Sequence, residues 1–420
     1  MENEMNPQQA VIEAARCLSC YDPPCVDACP VHVDVPRFIG RVKSGDFRGA
    51  VDTLWKNLPF PDTCAFVCPH LKLCEEACCI KDFSEPINIG ALQHFVATLE
   101  IPIEEGSEKR SGKRIAIIGS GPAGLTAGKD LMMKGYRVTI FEAESTLGGF
   151  LTCGIPSYRL PREAVNKEIK SLRGLTIQTG KHIGRVNDLK KGFDAVLIAI
   201  GSHESVSLDI PGEEREGVIK GIDFIKNFNS GTIKSLLGKK VAVIGGGDVA
   251  LDAARCALRL SADRTYLIYR RSFDEMPAYR LEVEDAKKEG VWFLILTMPV
   301  RITGDKGWVK SLECIKTRLG EPDESGRRRP IPIPESRFEI EVDVVIEAIG
   351  QKVDRSFLLK NPDIECSGGI IKVDEHLMTS NRGFFAAGDA VNGGSTVVQS
   401  IADGKRAAAE IDKFLGEERS

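Results

Sequence analysis

Nine of the thirteen cysteines fall between Cys17 and Cys79, in two runs. The first reads Cys17-x2-Cys20-x4-Cys25-x3-Cys29-Pro30, the second Cys64-x3-Cys68-Pro69-x4-Cys74-x3-Cys78-Cys79. Thiolates are soft ligands of short, fixed reach, and a ladder of them with proline after the last ligand is how iron–sulfur clusters are held. That pattern implies one-electron chemistry. Zinc and disulfides are the competing uses. Structural zinc favours clean C-x2-C pairs, often with histidine. One C-x2-C is present here, and His32 and His70 fall outside any evident ligand register. Disulfides suit a secreted mini-domain, whereas Met1 to Gln9 is polar and acidic with no secretory character.

A second chemistry-bearing pattern follows. Arg114-Ile-Ala-Ile-Ile118 runs into Gly119-Ser-Gly121-Pro-Ala-Gly124, and the unit recurs as Lys240-Val-Ala-Val-Ile244 and Gly245-Gly-Gly247-Asp-Val-Ala250. In such a turn the first glycine permits the strand-to-helix bend, the second lets backbone approach a pyrophosphate, and the third allows close helix–strand packing. The pyrophosphate then rests on unpaired N–H groups at the helix N-terminus. In the first unit the next strand, Arg137-Val-Thr-Ile-Phe-Glu142, ends in an acid placed to accept from ribose hydroxyls. In the second unit Ala250 replaces the third glycine, and Thr265-Tyr-Leu-Ile-Tyr269 ends in Arg270-Arg271. Guanidinium groups there suit a 2′-phosphate, which a carboxylate would repel.

Continuous apolar runs ending in glycine read as buried parallel strands. Both nucleotide units begin with one, and Asp194 to Gly201 and Phe384-Phe-Ala-Ala-Gly388-Asp389 add two more. Helices are expected over Val35 to Lys43, Phe47 to Leu58, Leu125 to Lys134, after the second glycine turn through Leu260, and from about Thr396 to Phe414. A polar linker, Glu104 to Lys113, separates the cysteine region from the first nucleotide unit.

Totals bound the rest. At 420 residues the chain has room for about three domains. It is 42% apolar and 28% charged, carries a net charge of −4, and has no apolar run long enough to span a membrane. An acidic balance argues against nucleic acid as a partner. The one basic cluster, Arg327-Arg328-Arg329, is expected in a solvated hairpin loop. The expected location is a reducing cytoplasm.

Taken together, these residues resemble the small (β) subunit of glutamate synthase, the N-terminal electron-input half of dihydropyrimidine dehydrogenase, and the large subunit of the bifurcating ferredoxin:NADP oxidoreductase. The resemblance covers nearly the whole chain. It is carried by the cysteine runs, Pro86-Ile-Asn-Ile-Gly-Ala-Leu-Gln93, Leu147-Gly-Gly149, Gly154 to Pro161, Gly245 to Ala250, Tyr269-Arg-Arg271 with Glu275-Met-Pro277, and Ala387-Gly-Asp389. It implies an α/β protein with an N-terminal α-helical iron–sulfur domain and two Rossmann-like nucleotide-binding domains of glutathione-reductase type. The expected divisions are 1–108 for two [4Fe–4S] clusters, 109–208 and 351–420 for FAD, and 209–350 for NADP(H).

By the same resemblance one cluster takes Cys17, Cys20, Cys25 and Cys78. The other takes Cys29, Cys68 and Cys74, with Gln93 as a non-cysteine ligand; Cys64 and Cys79 are then spare. FAD is expected on Gly119, Gly121, Gly124, Glu142, Gly149, Gly388 and Asp389, the last at the ribityl chain. NADP(H) is expected on Gly245, Gly247, Ala250, Arg270 and Arg271. NADPH would give a hydride to the flavin, and single electrons would leave through the clusters to a larger catalytic subunit or a ferredoxin-type acceptor, in a hetero-oligomer. No acid–base or nucleophilic catalytic residue is evident, and Cys153 has no C-x-x-C or C-x4-C partner for disulfide reduction. Departures stand on both sides: Gln93, where glutamate synthase has Glu, matches dihydropyrimidine dehydrogenase, while Arg270-Arg271 favours an NADPH user. A pyrimidine dehydrogenase input subunit, a bifurcating oxidoreductase subunit, an autonomous diaphorase and a non-catalytic assembly subunit are the alternatives.

Overall fold

A computed structural model describes residues 4–102 and 111–417; most of the polar linker expected at 104–113 lies outside the described residues. The chain forms two compact units. One takes Met1–Thr152, Ser157–Ser202 and Val353–Ser420; the other takes Cys153–Pro156 and His203–Lys352.

The first unit opens with short helices, Pro7–Ala15, Val35–Lys43, Phe47–Asn57, Pro61–Val67 and Ile89–Thr98. Four of these starts, all but that of Pro61–Val67, are set by side chains that accept from an N-terminal amide, as N-caps do: Asn6, Asp34, Asp46 and Asn88. Val35, Phe38, Ile39 and Val42 recur at helical spacing and are buried, which gives that helix one apolar face. The cysteine runs lie largely in the turns between these helices.

Five parallel strands follow in the same unit, ordered Phe384–Ala386, Ala195–Ile198, Arg114–Ile118, Arg137–Phe141, Thr176–Gln178. The helix Pro122–Met133 and the C-terminal helix Val397–Glu417 pack together beside it. Their approach is so close that a Cβ on Gly404 would lie 2.4 Å from Ala123 O. Lys405–Asp130 at 2.9 Å and Lys134–Asp412 at 2.7 Å flank the contact.

The second unit has a parallel sheet ordered Val218–Lys220, Val344–Glu347, Lys240–Ile244, Arg264–Tyr269, Trp292–Ile295. To it is added an antiparallel sheet, Thr297–Asp305, Trp308–Pro322 and Arg328–Glu341. The basic cluster lies at the tip of a hairpin of this sheet, as expected, but most of it is strand and not loop. Arg328 and Arg329 belong to the last of these strands; Arg327 alone of the three sits in the turn, and Arg328 is paired with Glu275.

Candidate functional site

At the first cradle the three glycines have three different surroundings. A Cβ on Gly119 (φ +103°) would meet Ala199 O at 2.3 Å, and one on Gly124 would meet Gly119 O at 2.1 Å. Gly121 has nothing within 4 Å of that position. The outer two are packing glycines, and the middle one borders open space at the start of the helix Pro122–Met133. Gly149 lies against it, its Cβ position 3.0 Å from Gly121 Cα. Glu142 is buried: Oε2 accepts from Ser120 N at 2.9 Å and from Ser120 Oγ at 2.6 Å, and Oε1 accepts from Glu144 N at 2.8 Å. A carboxylate has about four acceptor positions, so capacity for ribose hydroxyls remains. Gly388 (φ +70°) brings the last strand against Ala123, and Asp389 follows it. Burial raises the Asp389 carboxyl above its ordinary range, opposed by Ser395 N and Ser400 Oγ.

The second cradle repeats the scheme. Gly245 would clash with Ala348 O at 2.1 Å if it carried a Cβ, while Gly247 faces open space. Ala250 is fully buried, so its methyl fills the place of the third glycine. Asp248 opens the helix, but its Oδ1 accepts from Tyr279 N at 2.9 Å. The two arginines separate: Arg270 is exposed, and Arg271 is buried and paired with Asp323 at 2.5 Å.

The thiols of the N-terminal region divide between two cavities. Cys17, Cys20, Cys25, Cys78 and Cys79 line one; Cys29, Cys64, Cys68, Cys74, His70 and Gln93 line the other. Val35 and Ile89 line both, so the cavities are neighbours. Cys17, Cys20, Cys25 and Cys78 thus share one lining, and Cys29, Cys68, Cys74 and Gln93 the other, the same grouping that the resemblance implies. The division also places the two spare cysteines, Cys79 beside Cys20 in the first cavity and Cys64 in the second. Among the described residues no three His, Cys, Asp or Glu side chains gather as a single-ion site.

The donor set fits a cluster rather than bare thiols. Burial, then repulsion from Cys17, Cys78 and Cys20, pushes Cys25 up to about 12. Burial, then Cys29, pushes Cys68 up to about 12. Thiolates here need a bound cation to drive off their protons. Gln93 donates its Nε2 to Pro61 O at 2.6 Å, which leaves the amide oxygen as the end available for ligation. His70 Nε2 is buried without a protein partner in the same cavity wall. An orphaned polar atom there fits a group with its own hydrogen-bonding capacity.

Sequence reasoning missed Glu168, on the helix Arg162–Ser171. Its buried carboxylate accepts from Asp62 N, from Thr63 N at 3.1 Å and from Thr63 Oγ at 2.5 Å, at the start of the helix that carries Cys64 and ends at Cys68. The partners are about a hundred residues apart, and no local signal marks them.

Two family profiles cover almost the whole chain. “Pyridine nucleotide-disulphide oxidoreductase” matches residues 113–404, and “dihydropyrimidine dehydrogenase domain II, 4Fe-4S cluster” matches 1–104. The β subunit of the NADP(+)-dependent formate dehydrogenase of Moorella thermoacetica is 41% identical over 93% of this chain and 60% of its own length. The β subunit of the Geobacter sulfurreducens NADPH-Fe(3+) oxidoreductase is 38% identical over 96% of this chain and 65% of its own. The chain thus spans less than two thirds of either relative. The small chain of the Escherichia coli NADPH glutamate synthase is 32% identical, over 97% of this chain and 92% of its own. Among solved structures, Mycobacterium tuberculosis FprA in complex with NADPH shares the fold, with a TM-score of 0.63 at 21% identity over 73% of this chain and 85% of FprA.

Proposed function

Because this chain belongs to the pyridine nucleotide-disulphide oxidoreductase family and carries an N-terminal 4Fe–4S domain, we propose that it is an NADPH-oxidising electron-input subunit. FAD is assigned to the first cradle, NADP(H) to the second, and one [4Fe–4S] cluster to each thiol-lined cavity. When bound, the flavin and clusters supply the conversion of a two-electron hydride into single electrons. The observation that carries this reading is the sorting of thiols into two adjacent cavities within the same compact unit as the Glu142 cradle.

The chain's own residues bind, orient and insulate. Gly121 and Gly247 leave room for phosphates at two helix starts, and Glu142 offers a ribose acceptor. Cys17, Cys20, Cys25 and Cys78 ligate in the first cavity. Cys29, Cys68, Cys74 and Gln93 ligate in the second, where Pro61 O fixes the Gln93 amide. Val398, from the C-terminal helix beyond Asp389, lines the second cavity but not the first. A cluster held in the second cavity would therefore lie against the helix that follows Asp389, and would supply the one-electron acceptor on the flavin side. The partner is a larger catalytic subunit or a ferredoxin-type acceptor, in keeping with the relatives that are β or small subunits.

Anaerobically purified protein should contain one FAD and about eight irons with as many sulfides per chain, and should pass electrons from NADPH to an artificial dye. Two zinc ions with no sulfide would refute the assignment.

A further inference from the structure

The strand Arg264–Tyr269 ends on two arginines that the fold treats oppositely. Arg271 Nε donates to Arg328 O at 2.7 Å, and its Nη2 pairs with Asp323 at 2.5 Å. Asp323 and Arg328 are the flanks of one turn, closed by Asp323 N on Arg327 O at 2.8 Å. Arg328 is held in turn by Glu275, from the loop after the strand. The tip of the long hairpin is therefore pinned to the strand end from both flanks. Between those pins stands Arg327.

Arg270 is exposed, and among the described residues no carboxylate lies within ion-pair distance of it. Partial burial lowers its guanidinium and Arg271 adds to this; Tyr269 opposes them, and Arg327 lowers it further by a smaller amount, against Asp323. Asp323 is already committed: Oδ2 to Arg271, Oδ1 to Ser325 N at 2.9 Å and Ser325 Oγ at 2.5 Å. Arg327 donates Nε to Ser325 Oγ at 2.9 Å, an uncharged partner. Two guanidiniums are thus held near one another with their local acid in use, an arrangement that a bound dianion relieves.

We propose that Arg327, from the hairpin tip, joins Arg270 in gripping the 2′-phosphate of NADP(H), so that this tip is part of the nucleotide site. The inference rests on reading the second cradle as an NADP(H) site. Arg271 is then the positioning residue that holds the tip in place. Arg329 makes the internal control. It lies inside the last strand, beyond Arg328, whereas Arg327 sits in the turn that the two pins hold.

The full-length holoprotein should be titrated calorimetrically with 2′,5′-ADP and with 5′-AMP. Arg327→Ala should weaken 2′,5′-ADP by about 10- to 100-fold and leave 5′-AMP, flavin content and thermal unfolding unchanged. Arg327→Gln, which keeps most of the side chain, should do the same, and Arg329→Ala should match wild type. Wild type that binds both ligands equally would remove the NADP(H) reading and this inference with it. If Arg270→Ala loses 2′,5′-ADP while Arg327→Ala and Arg327→Gln keep it, the NADP(H) reading stands and the role of Arg327 falls. Equal loss of both ligands in the Arg327 variants would also overturn it, because that marks a structural role.

Discussion

Gln93 is the residue at which chemistry and packing separate most cleanly. Its amide nitrogen is tied to Pro61 O, so a ligand role belongs to the oxygen. Gln93→Ala should therefore strip roughly half of the iron, with one cluster's low-temperature EPR signal lost and the other intact. Unchanged iron and spectra would remove Gln93 from the ligand set. Glu168 answers to pH instead. Burial pushes it up to about 8 from an ordinary 4.5, against the lowering effect of its Thr63 and Asp62 donors. A raised native pKa means that the folded state holds this proton more tightly than the unfolded state does. Its stabilisation is complete below about 4.5 and is lost as pH rises through about 8. In Glu168→Gln the amide oxygen can accept from the two N–H groups while Nε2 donates to Thr63 Oγ. The fall in Tm between pH 5 and pH 8 should shrink in that variant. An identical fall in both proteins would assign the titration elsewhere.

At the scale of elements, the two strand–turn–helix units show which glycines serve packing and which serve a ligand. A methyl at Gly124 would lie 2.1 Å from a carbonyl oxygen, whereas one at Gly121 meets nothing within 4 Å. Gly124→Ala should cost about 1–3 kcal/mol of stability. Gly121→Ala should stay within about 1 kcal/mol of wild type in the apoprotein and yet bind FAD at least tenfold more weakly. Denaturant titration and flavin release check the pair, and a Gly121→Ala protein with full flavin would detach that glycine from the site. These units were legible because each is contiguous: apolar run, glycines, helix, then the Glu142 or Arg270 position. The thiol runs were legible by spacing, but their sorting into two cavities was not, since Cys78 joins residues some sixty positions earlier. The antiparallel sheet over 297–341 escaped notice for a local reason. Pro322, Pro330, Pro332 and Pro334 punctuate it, and proline normally argues against a strand. The Arg271–Asp323 pair, which ties that sheet's turn to the end of the strand Arg264–Tyr269, escaped with it.

For the whole molecule, the chain is expected to start a transfer and not to finish a metabolic conversion. It should oxidise NADPH with a dye acceptor and should not by itself reduce 2-oxoglutarate with glutamine or reduce uracil. Turnover of either pair by the purified chain would overturn the input-subunit reading. Among the described residues no helix is long and apolar enough to cross a membrane. The interleaving of the two units also has a bearing on how the protein is made. The first unit is assembled from three stretches of sequence, and His203–Lys352, most of the second, emerges before the third stretch. The strand Phe384–Ala386 pairs with Ala195–Ile198, so one side of the five-stranded sheet stays an open edge until the second unit has been translated and the chain has reached that strand. Domains fold as units during synthesis, and an unpaired edge strand invites the wrong partner. The second unit can therefore complete itself on the ribosome while the flavin cradle waits, which leaves the half-built sheet open to the wrong partner until Phe384–Ala386 arrives.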